Sequence, residues 1–219
     1  MGSRVITALE VQKRNKERVN VFLDDTYAFS LSLIEAATLH KGQALSEAEI
    51  QALQDESAVV KAVDSAARFL ANRPRSAREV RRNLERKDVP PPVIEAAIER
   101  LSTMGYLDDV AFARYWVDNR NMFNPRGPRA LRYELRQKGV AEDVIETVLG
   151  DGLDVVEMAY EAASSRVRRL QGSTQQDFRN KIGSYLQRRG FTFGTIQTAI
   201  SRLIEELEPT DYFRSDEVE

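Results

Sequence analysis

The sequence predicts a mainly α-helical protein made of three tandem three-helix repeats in an elongated, curved array, preceded by a small antiparallel β-meander. A helical phrase, RALRYELRQKGV at 129–140, recurs 51 residues earlier as REVRRNLERKDV and 51 residues later as NKIGSYLQRRGF. Such self-similarity at a fixed period is typical of repeat proteins, in which each unit buries its apolar face partly against its neighbours. The segment before the first copy alternates apolar and polar side chains instead, which predicts strands.

The predicted meander occupies the amino-terminal segment. Apolar residues alternate with polar ones over 19–23 and again over 29–33, on either side of a turn at Asp24-Asp25-Thr26. Together with the earlier run VITALEV, this predicts three antiparallel strands, a sheet so small that it must pack on a helix. Ser46 and Glu49 form a capping-box pattern that opens a short helix, and nothing beyond that helix resembles a strand.

Each copy of the phrase spaces its apolar residues by 4, 5, 5 and 4 positions, which is a helical step, a break and a second helical step. These residues are Val80, Leu84, Val89, Ile94 and Ile98; Leu131, Leu135, Val140, Ile145 and Leu149; and Ile182, Leu186, Phe191, Ile196 and Ile200. At the break, Gly139 and Gly190 stand where a left-handed residue ends a helix, and Asp88 replaces glycine in the first copy. The prolines at 90–92 then mark the next helix start.

A further helix is predicted before each phrase, at about 58–72, 110–122 and 154–170. The starts of the middle helices are marked by Ser76 with Glu79, by Pro128 after Gly127, and by Ser173 with Gln176. The predicted domains are residues 1–57 for the meander and short helix, 58–109, 110–152 and 153–209 for the repeats, and 210–219 for an acidic tail.

The composition argues against several classes of protein. The 219 residues contain no cysteine, no apolar run of membrane-spanning length and no secretory signal core, which indicates a protein of the reducing cytoplasm. The single histidine, His40, has no partner for a zinc site or a catalytic triad, and no phosphate-binding glycine loop occurs. We interpret His40 as an ordinary surface or packing residue. The adjacent Asp108 and Asp109 are better explained as a helix cap than as a catalytic pair. We therefore expect neither an enzyme nor a cofactor.

The net charge of −2 conceals a segregated distribution. Residues 68–87, 114–138 and 166–189 together hold 22 basic and 5 acidic residues, whereas the rest of the chain holds 10 basic and 29 acidic ones. The middle helix of each repeat is basic, and the final helices and linkers hold the acids. This pattern predicts a basic surface for an acidic partner, either nucleic-acid phosphates or an acidic protein surface. The alternative is a solvated helix face that is paired with the protein's own glutamates.

The candidate binding residues are the cations of the three middle helices. They are Arg78, Arg81, Arg82, Arg86 and Lys87; Arg129, Arg132, Arg136 and Lys138; and Lys181, Arg188 and Arg189. Lys87, Lys138 and Arg189 are equivalent, and they also suit the last helical turn, where a cation complements the helix dipole. The third copy has Asn180 and Gly183 in place of two arginines, so the sequence leaves its share in binding open.

Three stretches, FLANRPRSAREVRRNLERKDV, MGYLDDVAFARYWVDNR and GPRALRYELRQKGV, resemble the RecX family of bacterial recombinase regulators. The resemblance covers about residues 60–205, and the amino-terminal strands are similar to an extension that some members have. It implies a monomeric, non-enzymatic cytoplasmic protein that lodges in the RecA filament on single-stranded DNA. It further implies inhibition of the ATPase, strand exchange and co-protease activity of RecA within DNA repair and the SOS response.

Two other functions remain open from the residues alone. One is a stand-alone nucleic-acid-binding protein that uses its three-helix units as helix-turn-helix-like readers. The middle helices, however, have few side chains suited to base edges. The other is a scaffold with no nucleic-acid context.

Overall fold

The computed structural model describes residues 2–207 and 212–214. Its strands are β1 (Ser3–Val11), β2 (Arg18–Leu23), β3 (Thr26–Ser32) and β4 (Ala44–Ser46). Its helices are α1 (Leu33–Ala36), α2 (Glu47–Leu70), α3 (Ala77–Glu85), α4 (Pro91–Thr103), α5 (Asp109–Phe123), α6 (Pro128–Gln137), α7 (Glu142–Gly150), α8 (Val155–Val167), α9 (Gln175–Arg188) and α10 (Phe193–Glu206). A 3-10 turn at Arg168–Leu170 extends α8. None of the helices in the described ranges is long and apolar enough to cross a membrane.

The amino-terminal sheet has four antiparallel strands in the order β3-β2-β1-β4, so the prediction of three strands was wrong by one. The missed strand, β4, is three residues long and too short to show an alternating pattern. The alternation over 19–23 and 29–31 is confirmed, because its apolar members are buried. Leu33 was wrongly assigned to a strand. It is the first residue of α1, whose amino-terminal end is capped by Ser32 and Glu35 in a capping box, and 51% of Leu33 is exposed.

Helix α2 is one continuous helix, whereas the sequence predicted a short helix followed by another at 58–72. Its start is as expected, since Ser46 and Glu49 form a capping box. No glycine or proline interrupts the 24 residues, so the backbone has no reason to break near residue 57. Ser57 is buried and donates a hydrogen bond to the carbonyl of Ser30 on the sheet, which fastens the middle of the helix to β3.

Helices α2–α4, α5–α7 and α8–α10 form three triplets, and the repeated phrase recurs in each of them. Asp88, Gly139 and Gly190 all adopt positive φ angles, of 57°, 80° and 87°, which confirms the three left-handed helix ends. Twelve of the fifteen apolar residues of the phrase are buried, and Val89, Ile98 and Leu149 are half-buried. From Glu47 onward, the described residues contain no strand, as predicted.

The starts of α5 and α6 follow the sequence signals, and that of α9 is displaced by one residue. Asp108 accepts hydrogen bonds from the backbone of Val110 and Ala111, so the capping interpretation of the adjacent aspartates is confirmed. Gly127 caps α6, with Pro128 as its first residue. At α9 the prediction was one residue early, because Thr174, and not Ser173, accepts the hydrogen bond of its third helical residue.

The chain divides into two compact units. The first consists of Met1–Arg73 and Glu79–Leu107, and the second of Pro74–Arg78 and Asp108–Glu219. In the first unit, an apolar cluster lies on the sheet, with Ile6, Val21, Leu23 and Leu31 fully buried. In the second unit, one cluster runs through α5–α10, and its largest buried side chains are Phe112, Phe178 and Phe191.

The predicted acidic tail is described only at residues 212–214, and the rest of it lies outside the described residues. Tyr212 accepts a hydrogen bond from the backbone of Gly172, and Arg214 donates one to the carbonyl of Ser173. The rings of Tyr212 and Phe213 pack edge-on against Phe178, with centroids 5.9 and 5.4 Å away. These three residues therefore pack onto the start of α9.

Candidate interaction surface

Two equivalent hydrogen bonds in the second unit hold the ends of the middle helices. The hydroxyl of Ser76 donates to the carbonyl of Lys138 at 2.7 Å, and the backbone N–H of Gly127 donates to the carbonyl of Arg189 at 2.9 Å. Ser76 and Gly127 are 51 residues apart, as are Lys138 and Arg189, so the repeat of the sequence is also a repeat of this junction. The acceptors are the C-cap residues of α6 and α9, whose carbonyls have no partner within the helix.

Glycines make this junction possible. A Cβ on Gly190 would lie 2.5 Å from the backbone nitrogen of Ala130, and one on Gly127 would lie 2.4 Å from the carbonyl carbon of Gly190. A Cβ on Gly139 would lie 2.4 Å from Cδ of Arg78. The aliphatic part of Arg78 therefore packs against this glycine, while the residue as a whole remains exposed.

Arg81 and Arg132 form the same ion pair in two repeats. Arg81 of α3 donates to Glu95 of α4 at 2.7 Å, and Arg132 of α6 donates to Glu146 of α7 at 2.7 Å. The two pairs are related by the 51-residue offset, and each joins the middle helix to the final helix of its triplet. These arginines, predicted to face a partner, instead bind carboxylates of the same molecule.

Arg136 is also paired. Its Nε and Nη2 atoms each donate to an oxygen of Glu142 at 2.7 Å, which is the bidentate geometry that guanidinium and carboxylate groups prefer. This hydrogen bonding lowers the pKa of Glu142 below its ordinary value and raises the pKa of Arg136. Arg132 adds a second positive charge 3.5 Å from Glu142, so this one carboxylate at the start of α7 interacts with two cations of α6.

The equivalent cations Lys138 and Arg189 serve the structure. Arg189 donates to the side-chain oxygen of Asn124 at 2.5 Å and to the carbonyl of Pro125 at 2.9 Å, and it lies over the ring of Tyr185. Burial lowers the pKa of Arg189, to which the neighbouring positive charges of Arg126 and Arg166 contribute. The ammonium of Lys138 lies 4.7 Å from the ring centre of Trp116. Both cations at this position therefore contact groups of the same molecule.

The other candidates are more available for binding. Among the residues that the structure describes, no carboxylate forms an ion pair with five exposed arginines, which are Arg78, Arg82, Arg86, Arg129 and Arg188. Lys87 donates to the hydroxyl of Ser65 at 2.6 Å, and Lys181 lies 4.0 Å from Asp177, at the limit of an ion pair. The described candidate cations without a carboxylate partner are thus fewer than the twelve predicted residues.

Sequence reasoning missed a basic groove in the third repeat. It is lined by Arg166 and Arg169 at the end of α8 and by Lys181 and Arg188 of α9, with Tyr185 between them. The run RVRR at 166–169 indicates this cluster of positive charge, but it precedes the repeated phrase and so has no counterpart in the alignment of the three copies.

The described residues contain no group of three or more side chains that could hold a metal ion. Asp109 accepts a hydrogen bond from the backbone of Ala77, and its burial raises the pKa of the carboxyl group. His40 is exposed, and its backbone N–H donates to the side-chain oxygen of Gln43. Asp109 and His40 are therefore each described by a hydrogen bond to a neighbouring residue and not by a cluster of possible metal ligands.

Fold and surface together define a helical-repeat protein with cationic middle helices. The profile of the RecX N-terminal domain matches residues 4–46, and those of the first, second and third RecX three-helix domains match residues 62–101, 108–149 and 154–200. The chain belongs to the RecX family of regulatory proteins.

Curated relatives and solved structures agree with this assignment. Regulatory protein RecX of Bacillus pumilus is 35% identical over 93% of this chain and 79% of its own length. The namesake of Bacillus subtilis is 34% identical over 90% and 76%. A crystal structure of a regulatory protein RecX matches with a TM-score of 0.73 and 26% identity, covering 93% of this chain and all of that one. RecX from Lactobacillus salivarius, at a TM-score of 0.61 and 24% identity, covers 68% of this chain and 97% of that one, and it supports the fold alone.

Proposed function

We propose that this chain binds the filament of the RecA recombinase on single-stranded DNA and inhibits its recombinase, ATPase and co-protease activities during DNA repair and the SOS response. Membership of the RecX family, across the amino-terminal domain and all three repeats, is the observation that supports this proposal. The relatives are named as regulatory proteins, in line with a non-enzymatic role. The proposal includes a monomer that acts in the cytoplasm and needs no cofactor.

The available cations are the residues through which the chain would engage the filament. Arg82 lies near the end of α3 and Arg86 lies in the turn that follows this helix, and both are exposed. Arg86 donates to the backbone carbonyl of Arg82 at 3.2 Å, which directs its guanidinium along the helix. Exposed guanidiniums without a carboxylate partner retain their full charge for an acidic surface, and they accelerate association through long-range attraction.

A direct test measures ATP hydrolysis by RecA on single-stranded DNA while the purified chain is added before or after filament assembly. The proposal expects slower hydrolysis in both orders at saturating concentration. Hydrolysis that stays unchanged in both orders would contradict it. In that case the stand-alone nucleic-acid-binding function becomes the better explanation, and it predicts tight DNA binding without recombinase and a steep dependence on salt.

A further inference from the structure

The groove of the third repeat concentrates positive charge. It encloses about 470 Å³, and four of its lining side chains are cations, namely Arg166, Arg169, Lys181 and Arg188. None of the described residues that line it is acidic. The nearest ion pair is that of Lys181 with Asp177, at 4.0 Å. The helix ends nearby supply only about half a negative charge each, too little to balance four cations.

The third copy differs from the first two on the side of α9 that faces α10. Gly183 stands where Arg81 and Arg132 stand in the other copies, and Gln197 stands where their glutamate partners do. The interhelical ion pair of the first two repeats is therefore absent here. Space remains beside the glycine, since a Cβ on it would meet only Ile196 and Ile200, each at 3.9 Å. The side chains of α9 that line the groove likewise include no carboxylate, and Arg188 is exposed.

Tyr185 organises the arginines around the groove. The guanidinium of Arg166 lies 4.5 Å from the ring centre, and that of Arg189 lies 4.6 Å from it. A guanidinium held on an aromatic face loses less conformational freedom when it binds an anion. Because Tyr185 already has an arginine on its ring, it is not a platform for stacking a nucleic-acid base.

We propose that this groove binds the phosphodiester backbone of a nucleic acid, in a manner that does not depend on sequence. Asn180, Ser184 and Arg188 follow one another at four-residue steps, which places hydrogen-bonding groups about 6 Å apart along α9. Arginine, lysine, serine and asparagine are the side chains that contact phosphate and sugar oxygens in such complexes. A linear polyanion matches this row better than an isolated carboxylate does. The proposal relies on the proposed function only for the choice of nucleic acid as the ligand.

The experiment measures binding of a fluorescent 20-nucleotide single strand, and of the matching duplex, to the chain alone over a series of salt concentrations. The test variant is Arg169→Ala with Arg188→Ala. The control is Arg14→Ala with Lys16→Ala, which removes the same charge from exposed residues between β1 and β2. We expect the test variant to bind the single strand about tenfold more weakly or worse, and its salt slope to fall by about 1.4, since each phosphate contact contributes about 0.7. The control should stay within about twofold of the parent.

Three results would overturn the proposal. The first is equal loss in test and control variants, which indicates a general charge effect. The second is parent-like binding by the test variant. The third is competition by a poly-glutamate peptide of equal charge as effective as that by the oligonucleotide, which indicates an acidic protein as the ligand. Comparison of single strand and duplex identifies the form of nucleic acid preferred. Because recombinase is absent, failure here leaves the proposed function intact, and only the ATP-hydrolysis assay decides that function.

Discussion

Arg132 and Glu146 form an ion pair of 2.7 Å between α6 and α7. Its counterpart 51 residues earlier, Arg81 with Glu95, joins α3 to α4. The separation of basic and acidic residues onto different helices first suggested that the basic residues await an external partner. The structure gives a second reason for that separation, because opposite charges on adjacent helices of one triplet attract each other across the interface.

This ion pair should contribute modestly to stability. We expect a double-mutant cycle of Arg132→Ala and Glu146→Ala to give a coupling free energy of about 0.5 kcal/mol, because the pair is near the surface. Urea denaturation at low and high salt measures it, and the coupling should shrink as salt screens the charges. Arg129→Ala on the same helix is the control, with no salt-dependent effect. A coupling indistinguishable from zero at low salt would show that the pair is incidental.

Gly190 should be indispensable to the second unit. Gly190→Ala places a Cβ 2.5 Å from the nitrogen of Ala130, at a φ angle of 87° that an alanine adopts only with strain. We expect a loss of about 2 kcal/mol or more in the free energy of unfolding, measured by urea denaturation. Gly194→Ala is the matched control, because its Cβ meets nothing within 4 Å, and it should be neutral or stabilising by about 0.5 kcal/mol. Equal effects would mean that the junction tolerates a side chain.

Charge reversal should separate cations that bind a partner from cations that hold the fold. Arg82→Glu with Arg86→Glu is expected to raise the concentration for half-inhibition of RecA ATP hydrolysis roughly tenfold, while the thermal midpoint stays unchanged. Arg132→Glu with Arg136→Glu places new carboxylates beside Glu142 and should lower the thermal midpoint. If the α3 variant inhibits as well as the parent, these two arginines do not face the filament.

The ion pair of Glu142 with Arg136 predicts a pH dependence. The hydrogen bonds from Arg136 lower the pKa of Glu142 in the folded state. A carboxyl group with a lowered folded pKa stabilises the protein above its unfolded pKa of about 4.3, and that contribution disappears as the pH falls through the folded pKa. Glu142→Gln should therefore have a lower thermal midpoint than the parent at pH 7, and the difference should shrink as the pH falls below about 4.3 and through the folded pKa of Glu142. A difference that persists at low pH would indicate a cause other than charge.

Much of the fold could be read from local patterns. The three left-handed helix ends at Asp88, Gly139 and Gly190 follow from helix-stop chemistry. The caps at Ser46 and Asp108 follow from side chains that bond free backbone N–H groups. Local patterns were not enough for α2, where a capping signal and a later apolar run were assigned to two helices. They also missed β4, whose pairing with β1 depends on residues about forty positions away.

The candidate surface was harder to predict, because a sequence lists charges without their neighbours. All twelve candidate cations could be read from the sequence, and they lie within or directly after α3, α6 and α9. Which of them are neutralised depends on packing between helices, which brought Glu142 and Glu146 to Arg132 and Arg136. Packing also places Arg189 within hydrogen-bonding distance of Asn124, which lies 65 residues away in the sequence.

Local residue chemistry thus set the helices, their ends, the 51-residue period and the sign of each face, since those properties depend on neighbours within a few positions. Tertiary packing alone settled which arginines remain available. An ion pair forms or fails to form over a few ångströms, between residues that the sequence holds far apart. For that reason the third copy, whose middle helix lacks two of the arginines, contains the basic groove, whereas Arg132 and Arg136 of the second copy are bound to its own glutamates.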